Sequence, residues 1–409
     1  MQRMSTTRST ARCGSSPPVS VPWRARRPEA PGTMTRPPAA TGAAQLRRRK
    51  DMTRTIRRLM TGTALAGAMG SALAAPAMAE TISITVVNGH PPIFLWVKHL
   101  SETFIPAVDA ALEGTEYSID WTEAYGGSLA AVGGELDAIE DGLAEIAVIP
   151  TVFMPNKLML QNVTYNTPFG PADAQQVMDA MEALYDQIPG MAESWNAYDA
   201  EYLGGGFALD NYLLMTNFPV TSIDDLEGHR IAAPGPAVNW LEGTGAVGVA
   251  GNLTTYYNDL QTGVFDGVIV FPTAAAPARL HEVAPYVTIT NFGAQSAGGV
   301  VASQSWLEGQ PQEVQDALRA GATAFQEAYI AEQAERITAA MATIAPNDEN
   351  LHVLSPEERA RWAAALPDIA GTWAAAADEA GLPGTEVLTT YVRTLQDAGA
   401  DLGRDWSQR

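Results

Sequence analysis

The apolar and polar positions of this chain alternate between two periods. "TISITVVNG" (81–89) switches between apolar and polar every residue, as a half-buried strand does. "HPPIFLWVKHLSETFIPAVDAAL" then places Ile93, Trp96, Leu100, Phe104 and Val108 at helical spacing, with Pro91-Pro92 suited to a first helical turn. The alternation continues with "YSIDWTEA" as a strand, "ELDAIEDGL" as a helix and "AEIAVIPTV" as a buried strand. "PADAQQVMDAMEALYDQI" is an amphipathic helix, and "AEYLGGGFALDNYLLMTN" a pair of strand-like runs. "SIDDLEGHRIAAPG" leads into a strand, "PAVNWLEGTG" and "TTYYNDLQTG" read as short helices, and "VFDGVIVFP" is an apolar run. Strands interleaved with helices predict an α/β fold with mostly parallel sheets. From Gln310 the text becomes an almost unbroken Ala-rich helix, long enough to cross between domains, and Ser355–Leu402 adds further helices. No internal repeat is visible.

The first 79 residues follow other rules. Residues 1–51 hold 11 Lys/Arg against 2 Asp/Glu and are rich in Pro, Ser and Thr, so they are expected to be disordered. Arg54, Arg57 and Arg58, the apolar stretch Leu59–Ala75 and Ala77-Met78-Ala79 form the three regions of a secretory signal over 52–79. Residues 1–51 are then either a genuine extension or the product of a start codon assigned upstream of Met52. Export to the periplasm is expected. The rest of the chain, 80–409, carries 11 basic and 44 acidic residues, a formal charge of −33. Nucleic acid and anionic membrane surfaces are improbable partners for it. The one cysteine, Cys13, lies before the expected cleavage point, so neither a disulfide nor a thiolate is expected in the exported chain.

Enzyme chemistry finds little support. The five histidines (90, 99, 229, 281, 352) form no H-x-H or H-E-x-x-H pattern, and no G-x-S-x-G elbow occurs. Gly243-Thr-Gly245-Ala-Val-Gly248 fits G-x-G-x-x-G formally, but it follows a helix instead of linking a strand to one. No metal, cofactor or catalytic residue is therefore expected. Aromatic and polar residues do gather at strand-to-helix junctions, where open α/β sheets bind ligands. They are His90, Phe94 and Trp96, then Glu123 and Tyr125, then Phe153. Asp210, Asn211 and Tyr212 follow, with Trp240 and Phe271 last. Core packing or capping is the alternative for each, most of all for Trp96 and Trp240 at helical spacing.

Several stretches resemble the DctP-like solute receptors of tripartite ATP-independent periplasmic (TRAP) transporters. "YGGSLA" (125–130) is similar to the family's Gly-Gln-Leu-Gly turn, and "ELDAIEDGLAEIAVI" to its helix–Gly–strand unit. "FPVTSIDDLEGHRIAAPG", "YYNDLQTGVFDG" and "HEVAPYVTITNFG" match successive family segments. The resemblance implies a type II-like periplasmic binding protein fold, with two lobes closing on one small molecule and a long helix bracing both. The lobes would be 80–208 with 297–338, and 209–296 with 339–409. It further implies a monomer that delivers its ligand to a small and a large membrane subunit. The family's carboxylate-binding arginine, however, falls on Ala232, a second arginine falls near Asn211, and its asparagine near Val270. An amine, neutral or aromatic solute is then expected, with Glu123 and Asp210 as candidate pocket acids. The alternative is an organic acid held by Arg230, Arg279 or His90. A secreted enzyme on a two-lobe scaffold is a third reading.

Overall fold

The computed structural model describes residues 80–408. The expected extension and export signal, 1–51 and 52–79, lie outside these residues. Strand β1 (Glu80–Asn88) pairs in parallel with β2 (Tyr117–Tyr125) along its length. Between them runs a helix in three parts: α1 (Leu95–His99), a π-turn (Leu100–Phe104) and α2 (Ile105–Leu112). Pro106 lies in the first turn of α2. It cannot donate a backbone bond and its ring crowds the preceding turn, and the wider π-turn accommodates both effects. The helix starts later than the periodicity predicts. Phe94 N–H bonds to Pro91 O (3.2 Å), which makes 91–94 a separate turn and leaves Ile93 half-exposed outside the helix.

The chain continues through α3 (Glu135–Glu140), β3 (Ile146–Pro150), α4 (Ala174–Gln187), α5 (Gly190–Asn196) and β4 (Ala200–Leu209). After β5 (Leu213–Thr216), β6 (Arg230–Ala233), β7 (Val247–Ala250), α6 (Tyr256–Gln261), β8 (Gly267–Val270), α7 (Pro272–Ala275) and β9 (Tyr286–Ile289), it returns as β10 (Gln295–Ser303). The rest is α8 (Gln304–Leu307), α9 (Gln312–Ile344), β11 (Leu351–Val353), α10 (Pro356–Ala365), α11 (Ile369–Glu379) and α12 (Gly384–Asp397). In place of the short helix expected over 236–245, Gly235–Leu241 form a 3₁₀ segment.

Two sheets result, ordered β2-β1-β3-β10-β4 and β11-β9-β5-β8-β6-β7. Each is mostly parallel, as expected, with one reversed strand in its interior. Strand β10 runs antiparallel between β3 and β4, and β5 runs antiparallel to β8 and β9. These are the strands that follow the two direct crossings of the chain between sheets; a third passage, from β10 to β11, runs through α9. Strand alternation then divides the core. Ile146 and Val148 of β3 face one large cluster, while Ala147 and Ile149 face a second on the sheet's other side. In β8, Ile269 joins the large cluster while Val268 and Val270 join a third. Burial on both faces explains why these strands read as continuous apolar runs.

The two crossings, 210–212 and 290–294, are bonded to each other. Asn211 Nδ2 donates to Asn291 Oδ1 (2.8 Å), Gly293 N to Asn211 Oδ1 (3.0 Å) and Tyr212 N to Gly293 O (3.1 Å). Helix α9 extends for about 50 Å at 1.5 Å per residue. It packs on α2 and β4 and also on α7, which follows β8 of the second sheet. Helix α12 packs on α4, and Trp373 and Trp406 donate to the carbonyls of Met159 and Pro168. Among the described residues no helix is long and apolar enough to cross a membrane.

Candidate functional site

A cavity lies where the C-terminal ends of β1, β3 and β8 meet the ends of β4 and β6. The sequence expectations bring six residues to its wall: His90, Trp96, Phe153, Tyr212, Val270 and Phe271. His90 leaves β1 in a turn fixed by its own N–H bond to Asn88 Oδ1 (2.8 Å), while its carbonyl accepts from Gly126 N (3.0 Å). Its ring meets Trp96 (5.2 Å) and Phe94 (5.7 Å) edge-on and Phe153 at 5.9 Å. Phe94 stacks behind Trp96 (5.1 Å, 5°) and does not itself line the space. Trp96 also lies against Phe207 of β4 and Phe271 after β8, and so touches elements belonging to both sheets.

Sequence reasoning missed several lining residues, chiefly Tyr165, Phe207, Asn252 and Tyr256. Tyr165 belongs to 151–169, a run of short 3₁₀ turns with no periodic signal. Its hydroxyl bonds that of Tyr212 (2.9 Å). Tyr256 stands at the helical spacing of a core residue, four before Leu260, and its signal was that of helix packing.

The other expected residues lie elsewhere. Glu123 is exposed on β2, bonded by the Ser101 hydroxyl. Tyr125 ends β2 with its hydroxyl buried and without a hydrogen-bond partner, and burial raises its pKa. Asp210 is buried behind the cavity, accepting from Thr273 N (3.1 Å) and from the Thr273 hydroxyl. Burial lifts its carboxyl to about 6. Asn211 joins the two crossings. Trp240 is core: its indole donates to Tyr165 O (2.7 Å) and its carbonyl accepts from Trp362 (2.7 Å). Arg230 is exposed, with Nη2 on Gly263 O (2.8 Å) and an ion pair to Asp266. Arg279 pairs with Glu282, also at the surface.

Ala232 is fully buried below the wall. A methyl group placed on Gly251 would lie 3.4 Å from the Ala232 Cβ and 2.7 Å from Tyr256 Cε1, and Ala232 and Tyr256 belong to one buried cluster. No lining side chain carries a charge at neutral pH, because burial lowers His90 to about 3. Both His90 ring nitrogens, Trp96 Nε1 and the Tyr256 hydroxyl are buried without a protein partner. Such groups incur a desolvation cost of about 1–3 kcal/mol each unless something else bonds them. Seven aromatic side chains with four unfilled polar atoms can hold a flat, largely apolar molecule by its polar edge. Among the described residues no group of three His, Cys, Asp or Glu could hold a metal ion.

Residues 110–374 match the family described as bacterial extracellular solute-binding protein, family 7. The C4-dicarboxylate-binding periplasmic protein DctP of Rhodobacter capsulatus is 26% identical over 329 residues, covering 76% of this chain and 92% of that protein. Among solved structures, DctP7 of Bordetella pertussis, a receptor binding pyroglutamic acid, is similar at TM-score 0.67 and 17% identity, over 76% of this chain and 99% of that one. A TRAP periplasmic solute-binding protein from Sulfitobacter sp. NAS-14.1 with bound β-D-galacturonate gives 0.64 and 18%, over 76% and 99%. A marine metagenome TRAP solute-binding protein specific for aromatic acid ligands gives 0.67 and 18%, over 78% and 99%. At these identities the structures share the fold.

Proposed function

Because this chain belongs to family 7 of the bacterial extracellular solute-binding proteins, we propose that it is a periplasmic receptor that captures one small molecule and hands it to the membrane subunits of a TRAP transporter. The two sheets serve as the two lobes, 80–208 with 297–338 and 209–296 with 339–409, although α12 rests on α4 of the first. A solute touching His90 and Phe207 on one side and Pro234, Tyr256 and Phe271 on the other favours closure through contacts made only when the lobes meet. The receptor works as a monomer.

The ligand is an uncharged, flat or aromatic solute. One observation carries this: the wall has no charged side chain, and its unfilled polar atoms belong to neutral groups. An amine is disfavoured because Glu123 and Asp210 lie off the wall. Burying a lone ammonium or carboxylate there would cost several kcal/mol, of order the penalty per ion in protein interiors. Mass spectrometry of the co-purifying solute, with a thermal-shift panel of neutral aromatics, aromatic acids, dicarboxylates and amines, tests it. Neutral aromatics should raise the melting temperature. Stabilisation by acids alone would remove the ligand class and keep the receptor. A second reading keeps an acid, as in the similar structures, with His90 as its cation. His90 would then take up a proton on binding, so affinity would fall about tenfold per pH unit between pH 6 and 8. Binding of a neutral solute would be flat over that range.

A further inference from the structure

Glu135 lies outside the cavity wall and is completely buried at the start of α3. Its two oxygens are divided between two turns. Oε1 accepts from Gly89 N (3.0 Å) and Oε2 from Gly133 N (2.8 Å). Gly89 immediately precedes His90, and a Cβ on it would strike Val132 N at 2.3 Å, so the two turns are in backbone contact. Gly133 abuts Phe153, where an added Cβ would sit 3.3 Å from the ring-bearing Cβ. Phe153 and His90 face each other across the wall (5.9 Å). The His90 ring is held by no hydrogen bond of its own, so its place depends on its backbone and its aromatic neighbours. We propose that Glu135 is the positioning residue of the solute site, its single carboxylate tying the 88–90 turn to the 132–134 turn and thereby fixing the His90 ring against Phe153 and Trp96. This rests on the receptor reading only in taking the cavity as the solute site.

An ionised carboxylate can accept both backbone N–H groups, whereas a protonated one aims its own O–H at one of them and loses that arm. Burial raises the Glu135 carboxyl to about 7 against the four backbone donors that lower it. The surrounding elements leave the carboxyl without a competing charge. Helix α3 packs on β1, β3, β4 and β10. Strands β3 and β10, the loop 126–134 and residues 151–153 have no ionisable side chain. Strand β1 contributes Glu80 at its far end. In β4, Glu201 pairs with Arg319 and burial raises the Tyr202 hydroxyl well above its ordinary value. On α3 itself Asp137 and Glu140 pair with Lys157. His90 is the remaining titratable neighbour, and it stays neutral above about 3.

The test is NMR of the purified full chain, with ¹⁵N-labelled histidine and ¹³C-carboxyl-labelled glutamate, titrated from pH 5 to 8.5 without any solute. The His90 ring signals should move with a midpoint near 7 while keeping the shifts of a neutral imidazole. The Glu135 carboxyl should share that midpoint, and Glu135→Gln should abolish the His90 step. A flat His90 signal, or a step that survives Glu135→Gln, overturns the assignment. If Glu135→Gln does not fold, different midpoints for the two labels in the unaltered chain overturn it equally, and a shared midpoint supports it. No solute enters the measurement, so failure of the proposed ligand class leaves the outcome unaffected.

Discussion

Asparagine at position 210 should stabilise this protein, and should do so far more at alkaline than at acid pH. Asp210 is 2% exposed, and burial is the largest influence raising its carboxyl from 3.8 to about 6. The sign follows from proton counts. Between pH 4 and 6 the folded chain keeps a proton that the unfolded chain releases, so stability falls as pH rises through that window and is level above it. At about 1.36 kcal/mol per pH unit, ionising Asp210 costs about 1 kcal/mol at pH 4.5 and about 3 kcal/mol at pH 8. Asn keeps the geometry, with Oδ1 accepting from Thr273 N and Nδ2 donating to the Thr273 hydroxyl, and it carries no charge to bury. The Asp210→Asn gain should therefore be about 2 kcal/mol larger at pH 8 than at pH 4.5, the constant part of the substitution cancelling. For a chain of this size that difference is about 3 °C in melting temperature. Scanning calorimetry of both proteins at the two pH values measures it. An equal effect at both, or a loss at pH 8, would refute the reasoning.

Three further substitutions separate the wall from its surroundings. Tyr256→Phe removes a buried hydroxyl that has no protein partner, so the free protein should melt at the same temperature or slightly higher. The affinity for the co-purifying solute, measured by calorimetry, should drop about tenfold, the worth of one hydrogen bond near 1.4 kcal/mol. Arg230→Ala should change stability by less than about 1 kcal/mol in urea unfolding, as exposed ion pairs do, and leave solute affinity unchanged. Gly298→Ala places a Cβ 1.9 Å from Ile149 O at φ 124°. It should lower the melting temperature by about 6 °C (about 4 kcal/mol), or prevent soluble expression.

Elements with a strong period were legible in the sequence. Strands such as "AEIAVIPTV" and the long helix from 312 carry their burial in their spacing, and the segments 218–235 and 256–267 carried the family resemblance. Contacts made by irregular backbone were less legible. Tyr165 faces the cavity from 3₁₀ turns in which no period exists, and Tyr256 and Trp240 look alike in spacing although one faces the cavity and the other the core. Asp210 and Asn211 stood out as polar residues in apolar text. Hydrogen bonds to Thr273 and between the crossings use that polarity, and only the tertiary structure pairs positions about 60 and 80 residues apart. Glu135, in turn, gave no more signal than a helix residue with an acid side chain.

The ring of Tyr256 beside Ala232 has a consequence for how this binding site could change hands in evolution. Ala232 is fully buried in one packed cluster with Tyr256, so a side chain as long as arginine at 232 would overpack it. Shortening Tyr256 alongside it should relieve that crowding. Ala232→Arg first would overpack the site and bury an unmatched cation, whereas shortening Tyr256 first opens a void costing about 3–5 kcal/mol. Either single step should destabilise the protein, and a stabilising change elsewhere, such as Asp210→Asn, would provide a reserve for the second order. A one-residue graft of arginine at 232 should therefore fail where the paired exchange succeeds.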